Sequence, residues 1–279
     1  MSKMAFVDIG ELGWSLYLSA HLRWLKANTD HAIAIITSPD RKCLYRDSAD
    51  LILDVPDDFY EKFKGEQNCF GIDSWGKEEL KKYFEKGLPP GFTIAENAIF
   101  NWNRKFIENK TIYKSYEYSK KLRGKKKILV FPRYREHPRF CYRNLPKLFY
   151  IELIKFLCDK FPKYKIKTIG LNSGSYNIVE IKKHNYVNGV KGNADLQDLI
   201  DECRLAVAAV GGVSSLPKIS LLQKVPTFVI GFQKNRFTTD ENWAKTKIGF
   251  YEINWSFFPS IRFVFIRNEL IEFLKGINK

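Results

Sequence analysis

The stretch Leu205–Gly231, LAVAAVGGVSSLPKISLLQKVPTFVIG, constrains the fold more than any other part of the chain. Leu205–Val210 is an apolar run without polar alternation, which predicts a strand buried on both faces. Gly211 and Gly212 read as a sharp turn, and Ser214 and Ser215 as hydroxyls at the start of a helix. That helix, over Ser215–Gln223, carries Leu216, Ile219, Leu221 and Leu222 towards the core. Pro226 ends it and leads into a second buried strand, Thr227–Ile230. Together these make one right-handed βαβ unit. Its helix start offers free N–H groups to a phosphate or another anion.

The flanking sequence repeats the alternation. Ala5–Ile9 predicts a strand, Trp14–Lys26 a helix and His31–Thr37 a strand, so the chain opens on βαβ; Leu51–Val55 and Glu78–Lys86 predict a further strand and helix. Asn68–Tyr118 is aromatic and irregular. After the basic break Ser119–Lys127, the pattern becomes regular: strand Lys127–Phe131, helix Lys147–Lys160, strand Tyr164–Ile169 and helix Ala194–Glu202 precede the opening unit. Phe263–Ile266 reads as a last strand and Arg267–Gly276 as a last helix. Strands alternating with helices predict parallel sheets covered on both faces. The expectation is an α/β protein of two doubly wound, Rossmann-like domains, 1–118 and 128–260, with a linker over 119–127 and a cleft between them. The segment 261–279 is expected to pack back towards the N-terminal domain.

Composition narrows the function. Residues 126–279 carry 26 Lys and Arg against 13 Asp and Glu, whereas residues 1–125 carry 20 against 18. The excess cation therefore lies with the anion-binding candidate, and points to a phosphate-bearing ligand, a nucleic acid or an anionic membrane surface; an ordinary lysine-rich solvated face accounts for it as well. The five cysteines are scattered and lack C-x-x-C spacing, and the four histidines are scattered too, so neither a disulfide framework nor a metal site is expected. No apolar run reaches the roughly 18 residues that cross a bilayer. The opening MSKMAFVDIGELGW has a carboxylate within its apolar segment and does not read as a signal peptide. The expected location is cytoplasmic, at most peripheral to the inner membrane face.

Candidate chemistry falls at predicted strand ends. Gly10-Glu11-Leu12-Gly13 follows the first strand, and in open α/β sheets ligands bind at that end. Glu11 and Asp8 are the candidate general bases, Glu11 preferred because it lies on the loop. In the second half, Arg133 and Arg135 follow a strand, with Arg139 and Arg143 before the next helix; such guanidinium forks suit a diphosphate. Gly211, Gly212, Ser214, Ser215 and Lys218 face the same region, and Gly170 opens a small polar loop fit to touch a base or ribose. Asp195 and Asp198 read as helix-start carboxylates. Thr239–Trp243 is expected either to line the cleft or to pack the domains together. With no D-x-D pair, charge neutralisation falls to Arg, Lys and backbone N–H groups, and no cofactor is expected.

These residues resemble a glycosyltransferase of the two-Rossmann (GT-B) type, closest to the heptosyltransferase-like group. In that group a strand leads through a serine-glycine turn to a helix carrying a histidine, then a Gly-x-Pro. Ser214–Lys218 through Lys224-Val225-Pro226 matches that spacing, with Lys218 in the place of the histidine and Lys224 in the place of the glycine. Arg143-Asn144-Leu145-Pro146 resembles the family's basic residue, tryptophan and proline, Asp195–Ile200 the segment before the sugar-nucleotide strand, and Glu11–Trp14 a loop of bacterial and phage glycosyltransferase-like proteins. The resemblance implies metal-independent transfer of a sugar from a nucleoside diphosphate donor to a hydroxyl of a glycan or lipid-linked acceptor, with inversion. It places the donor in the second domain at Arg133, Arg135 and the Gly211–Ser215 turn, and the acceptor in the first, beside Glu11 or Asp8. Two rivals share the fold. A phage-type DNA-base glycosyltransferase would bind duplex with steep salt dependence, and a non-catalytic sugar-nucleotide-binding module would bind donor without turnover.

Overall fold

Continuous apolar runs become parallel strands in both halves of the chain. The computed structural model describes residues 2–9, 12–62, 77–99, 126–136, 141–192, 195–232, 246–254 and 260–275. The chain divides into two units, Met1–Lys114 and Ser115–Lys279. The expected linker falls largely outside the described residues, as do Glu11, Arg139 and Thr239–Trp243; Lys127 itself opens a strand.

In the first unit, β1 (Lys3–Asp8), α1 (Leu12–Asn28), β2 (Ala32–Thr37), β3 (Leu51–Asp54), α2 (Asp57–Lys62), α3 (Lys77–Glu85) and β4 (Phe92–Ile99) follow in order. The sheet is parallel, in the order β3-β2-β1-β4. Ala5, Phe6 and Val7 of β1 and Ile33–Ile36 of β2 are buried, as a strand covered on both faces requires. The region read as irregular thus supplies an edge strand, β4, beyond the helix expected over Glu78–Lys86, which is α3.

The second unit contains β5 (Lys127–Phe131), α4 (Lys147–Lys160), β6 (Lys165–Leu171), β7 (Tyr186–Lys191), α5 (Leu196–Arg204), β8 (Ala208–Gly212), α6 (Ser215–Leu222), β9 (Thr227–Gly231), β10 (Ile248–Glu252) and α7 (Arg267–Lys275). Its parallel sheet has the order β10-β9-β8-β5-β6-β7. The chain works outwards from β5 to one edge, returns to β8 and works outwards to the other. The direction reverses between β5 and β8, and this switch point is where doubly wound sheets bind ligands. On one face, α4 buries Phe149, Tyr150, Leu153, Ile154, Leu157 and Cys158 against Ile128 and Val130. Asp195 caps α5, accepting from Gln197 N at 3.1 Å, so it is structural as read.

Two expectations are corrected. Gly211 and Gly212 do not form the turn; they end β8, and the chain bends at Val213 and Ser214. A Cβ on Gly211 would stand 2.7 Å from the Phe131 Cβ, so the glycine clears space for the facing strand. Phe263–Phe265 is a 3-10 turn rather than a strand. The segment from Ile261 to Lys275 contributes to the core of the second unit, with Ile261, Phe263, Ile266, Leu270, Phe273 and Leu274 all buried in it.

The end of α6 explains Lys224. Val225 N donates to Ser220 O (3.0 Å) and Lys224 N to Leu221 O (2.9 Å), the paired bonds of a Schellman cap, and Lys224 takes φ 57°. This left-handed position is where glycine ordinarily stands. Lys224→Gly is expected to raise stability by about 1 kcal/mol in urea unfolding, because the strain of a Cβ there outweighs glycine's extra chain entropy.

A second prediction concerns pH. Glu202 on α5 pairs with Lys127 (2.6 Å) and Lys167 (2.8 Å). Burial pushes its pKa up, but hydrogen bonds from the two lysines outweigh this and hold it below the usual carboxylate value. Ionised Glu202 therefore stabilises the fold above the unfolded pKa of about 4.3, and that contribution is lost as pH falls through the lowered folded value. The Tm gap between the protein and Glu202→Gln is expected to narrow as pH drops below about 4.

Candidate functional site

The carboxyl edge of the second sheet gathers most of the residues singled out in the sequence. Beyond β5, Arg133 makes an isolated antiparallel bridge with Ser175. Tyr134 N donates to Gly174 O (3.0 Å) and Tyr176 N to Pro132 O (2.7 Å), clamping the loops after β5 and β6 together. Asn144, before the start of α4, completes the clamp. Its side-chain oxygen accepts from the Arg133 guanidinium and from Arg135 N (3.0 Å), and its amide donates to Arg135 O (2.8 Å). Asn144 is therefore the organiser of the arginine loop. Its only sequence signal is its place between Arg143 and Leu145-Pro146.

Arg133 is buried, with 7% of its surface exposed, so it is a fixed cation and not a mobile surface one. Arg135 is exposed, its guanidinium 3.7 Å from where a Gly174 Cβ would stand. The Arg143 guanidinium carbon lies 5.8 Å over the Phe232 ring, just beyond β9. At the end of β8, a Cβ on Gly212 would meet the Tyr150 hydroxyl at 3.2 Å. Ser214 takes the N-cap position of α6 without a side-chain cap bond, and Ser215 and Lys218 lie in the first turn. Pro217 is tolerated there because a first-turn N–H has no helical partner to lose.

Gly170 has a different place from the one expected. It sits within β6, buried, with φ 153°, and a Cβ on it would fall 2.0 Å from the Ser175 hydroxyl and 3.6 Å from the Leu216 side chain. It lets Ser175 and the start of α6 close together, beneath the site. Arg133, Arg143, Gly212, Ser214 and Ser215 thus share the ends of β5, β8 and β9, with Arg135 at the β6 side.

In the first unit, Asp8 ends β1 and is 2% exposed. Its oxygens accept from Ser15 Oγ (2.8 Å), Tyr45 OH (2.6 Å) and Thr37 Oγ1 (3.3 Å), with Arg41 at 3.4 Å; Arg41 also donates to Ser15 Oγ at 2.9 Å. A carboxylate enclosed by so many donors is an anchor that ties β1 to β2, α1 and the 3-10 turn Pro39–Leu44. Glu11, the other candidate base, lies outside the described residues. Among the described residues, no three His, Cys, Asp or Glu side chains converge as metal ligands, and no helix is long and apolar enough to cross a membrane.

Asp8→Ala is expected to cost about 3 kcal/mol in denaturant unfolding, because it strands three hydroxyls and the Arg41 charge. Full stability with lost turnover would instead identify a base.

The sequence matches no family profile and no curated protein. The structure, however, is similar to solved ones across nearly its whole length. A glycosyl transferase of family 9 from Veillonella parvula aligns with TM-score 0.63 and 12% identity, over 99% of this chain and 97% of that one. ADP-heptose LPS heptosyltransferase II of E. coli aligns with TM-score 0.59 and 12% identity, over 100% of both chains. E. coli heptosyltransferase WaaC, solved with ADP-2-deoxy-2-fluoro heptose, aligns with TM-score 0.62 and 9% identity, over 97% and 99%. The fold is that of the GT-B glycosyltransferases.

Proposed function

We propose that this chain is a glycosyltransferase that moves a sugar from a nucleoside diphosphate to a hydroxyl of a glycan or a lipid-linked sugar. The observation that carries the reading is the convergence of Arg133, Arg143 and the uncapped start of α6 on the strand ends at the switch point. A diphosphate suits that place because guanidinium forks bind its oxygens in pairs and a helix start adds N–H donors. WaaC, which shares the fold, has been solved with ADP and with an ADP-sugar analogue, which makes ADP-linked sugars the first donors to test.

In the proposed reaction, the Glu11 carboxylate accepts the proton of the acceptor hydroxyl. The hydroxyl oxygen attacks the anomeric carbon, and the bond from that carbon to the diphosphate breaks with its electron pair leaving on the diphosphate. Attack opposite the leaving group inverts the anomeric centre. Arg133, Arg143 and the N–H groups of Ser215 and Leu216 take up the growing charge, with Arg135 and Lys218 at the rim, in the place a divalent metal would otherwise fill. Asp8, three residues before Glu11, holds the strand end from which the base is presented.

The test is a thermal-shift panel of UDP-, GDP-, ADP- and CMP-linked sugars with the free nucleotides. One nucleoside diphosphate is expected to raise the Tm. Arg133→Lys, which keeps the charge and loses the fork, is expected to weaken that ligand by about tenfold or more. Glu11→Gln is expected to keep the shift and lose turnover. A wild-type protein that responds to no diphosphate would overturn the reading.

A further inference from the structure

Two hydroxyls at the switch point carry protons that no acceptor takes. Tyr150, on α4, is fully buried, and its hydroxyl, beside the main-chain N–H groups of Arg133 and Gly212, has no acceptor for its proton. That hydroxyl lies 3.2 Å from the position of a Gly212 Cβ and beside the main chain of Arg133. The Ser214 hydroxyl is likewise enclosed and unpartnered. Yet Ser214 is the N-cap of α6, where a serine oxygen ordinarily accepts from the first turn.

Burying an unpaired hydroxyl costs stability, and folded proteins avoid it. Other buried phenols are paired: that of Tyr45 donates to Asp8 and that of Tyr186 to Ile178 O. Packing alone does not account for the Tyr150 oxygen either. Its ring meets Phe149 edge-on with centroids 5.7 Å apart and lies 6.0 Å from Tyr176, contacts a phenylalanine would make as well. Both donors stand at the carboxyl end of β8, one beside Gly212 and one at the start of α6.

We propose that the Tyr150 and Ser214 hydroxyls are donors held for the bound ligand, and that an anionic oxygen of a diphosphate at the Gly212–Ser215 turn is the acceptor both lack. The proposal rests on the donor-site reading above and adds Tyr150 to it. Because both oxygens are closed to solvent in the free protein, binding includes a local shift of the Gly212–Ser214 backbone. The free protein carries the cost of two unmade hydrogen bonds, and the complex recovers it.

That exchange gives substitutions of opposite sign in the two states. Tyr150→Phe is expected to raise the Tm of the free protein, since it removes an unpaired buried hydroxyl and leaves the ring in place. It is also expected to shrink the Tm rise produced by ADP, UDP or GDP, whichever stabilises the wild type, with Kd raised about tenfold, as for one hydrogen bond to a charged group. Inorganic pyrophosphate, which offers the same oxygens without base or ribose, is expected to lose as much. Ser214→Ala is expected to act in the same directions. A free Tyr150→Phe protein less stable than wild type would overturn the proposal, since the hydroxyl would then be bonded without ligand. An undiminished ligand shift would overturn it too, while leaving the donor reading intact. A wild type that no diphosphate shifts would end the donor reading itself, and the role of the hydroxyls with it.

Discussion

The second unit depends on how closely β5 and β8 approach at their carboxyl ends. Phe131 faces Gly211 in the parallel register, and a side chain on Gly211 would stand 2.7 Å from the Phe131 Cβ. A large residue beside none lets the ring lie across the neighbouring strand and brings both strand ends level. Everything ligand-facing is measured from that point. Arg133 lies two residues beyond Phe131, and the N-cap of α6 lies three beyond Gly211. A longer side chain at Gly211 would separate the strands and, with them, the arginine from the helix start.

The first unit is pinned in another way. Its β1 end is fixed by a buried charge, Asp8, whose cost of desolvation is met by three hydroxyls and Arg41. Such a group, 2% exposed and already accepting from four donors, is closed off from a substrate hydroxyl. The same donors suit it to hold a loop in place. Of the two candidate carboxylates, Asp8 is thus a fixed anchor, and the proposed chemistry rests on Glu11.

Much of the fold was legible because fully buried parallel strands read as unbroken apolar runs: Lys127–Phe131 and Thr227–Ile230 fall where the pattern put them. Several misreadings concern glycine. Gly211 and Gly212 read as a turn and Gly170 as the start of a loop, while all three stand inside strands, where glycine clears space. Gly189 in β7 lies under the Lys167 stem and Thr168 O, and Gly249 in β10 under the rings of Phe228 and Phe273. Both strands escaped the sequence reading, as edge strands with few fully buried residues do. The cation cluster was visible from Arg133, Arg135 and Arg143, but Asn144 was not. What makes it matter is a set of hydrogen bonds across nine to eleven residues, which no local pattern encodes.

Helix α6 shows how these constraints meet. It is eight residues long, too short to persist by its own hydrogen bonds. Its first turn lacks a side-chain cap, and its cap at the other end places a lysine in a glycine conformation. Neither end was optimised for the helix. Its place is held instead by Ile219, Ser220, Leu221 and Leu222, all buried, and by Leu216 against Gly170. A helix anchored by its body can leave its start unsatisfied, and an unsatisfied start is what an anion recognises. The lost stability at the ends of α6 and at Tyr150 is then part of one arrangement: tertiary packing supplies the position, and the polar groups at the switch point are left for something outside the chain to complete.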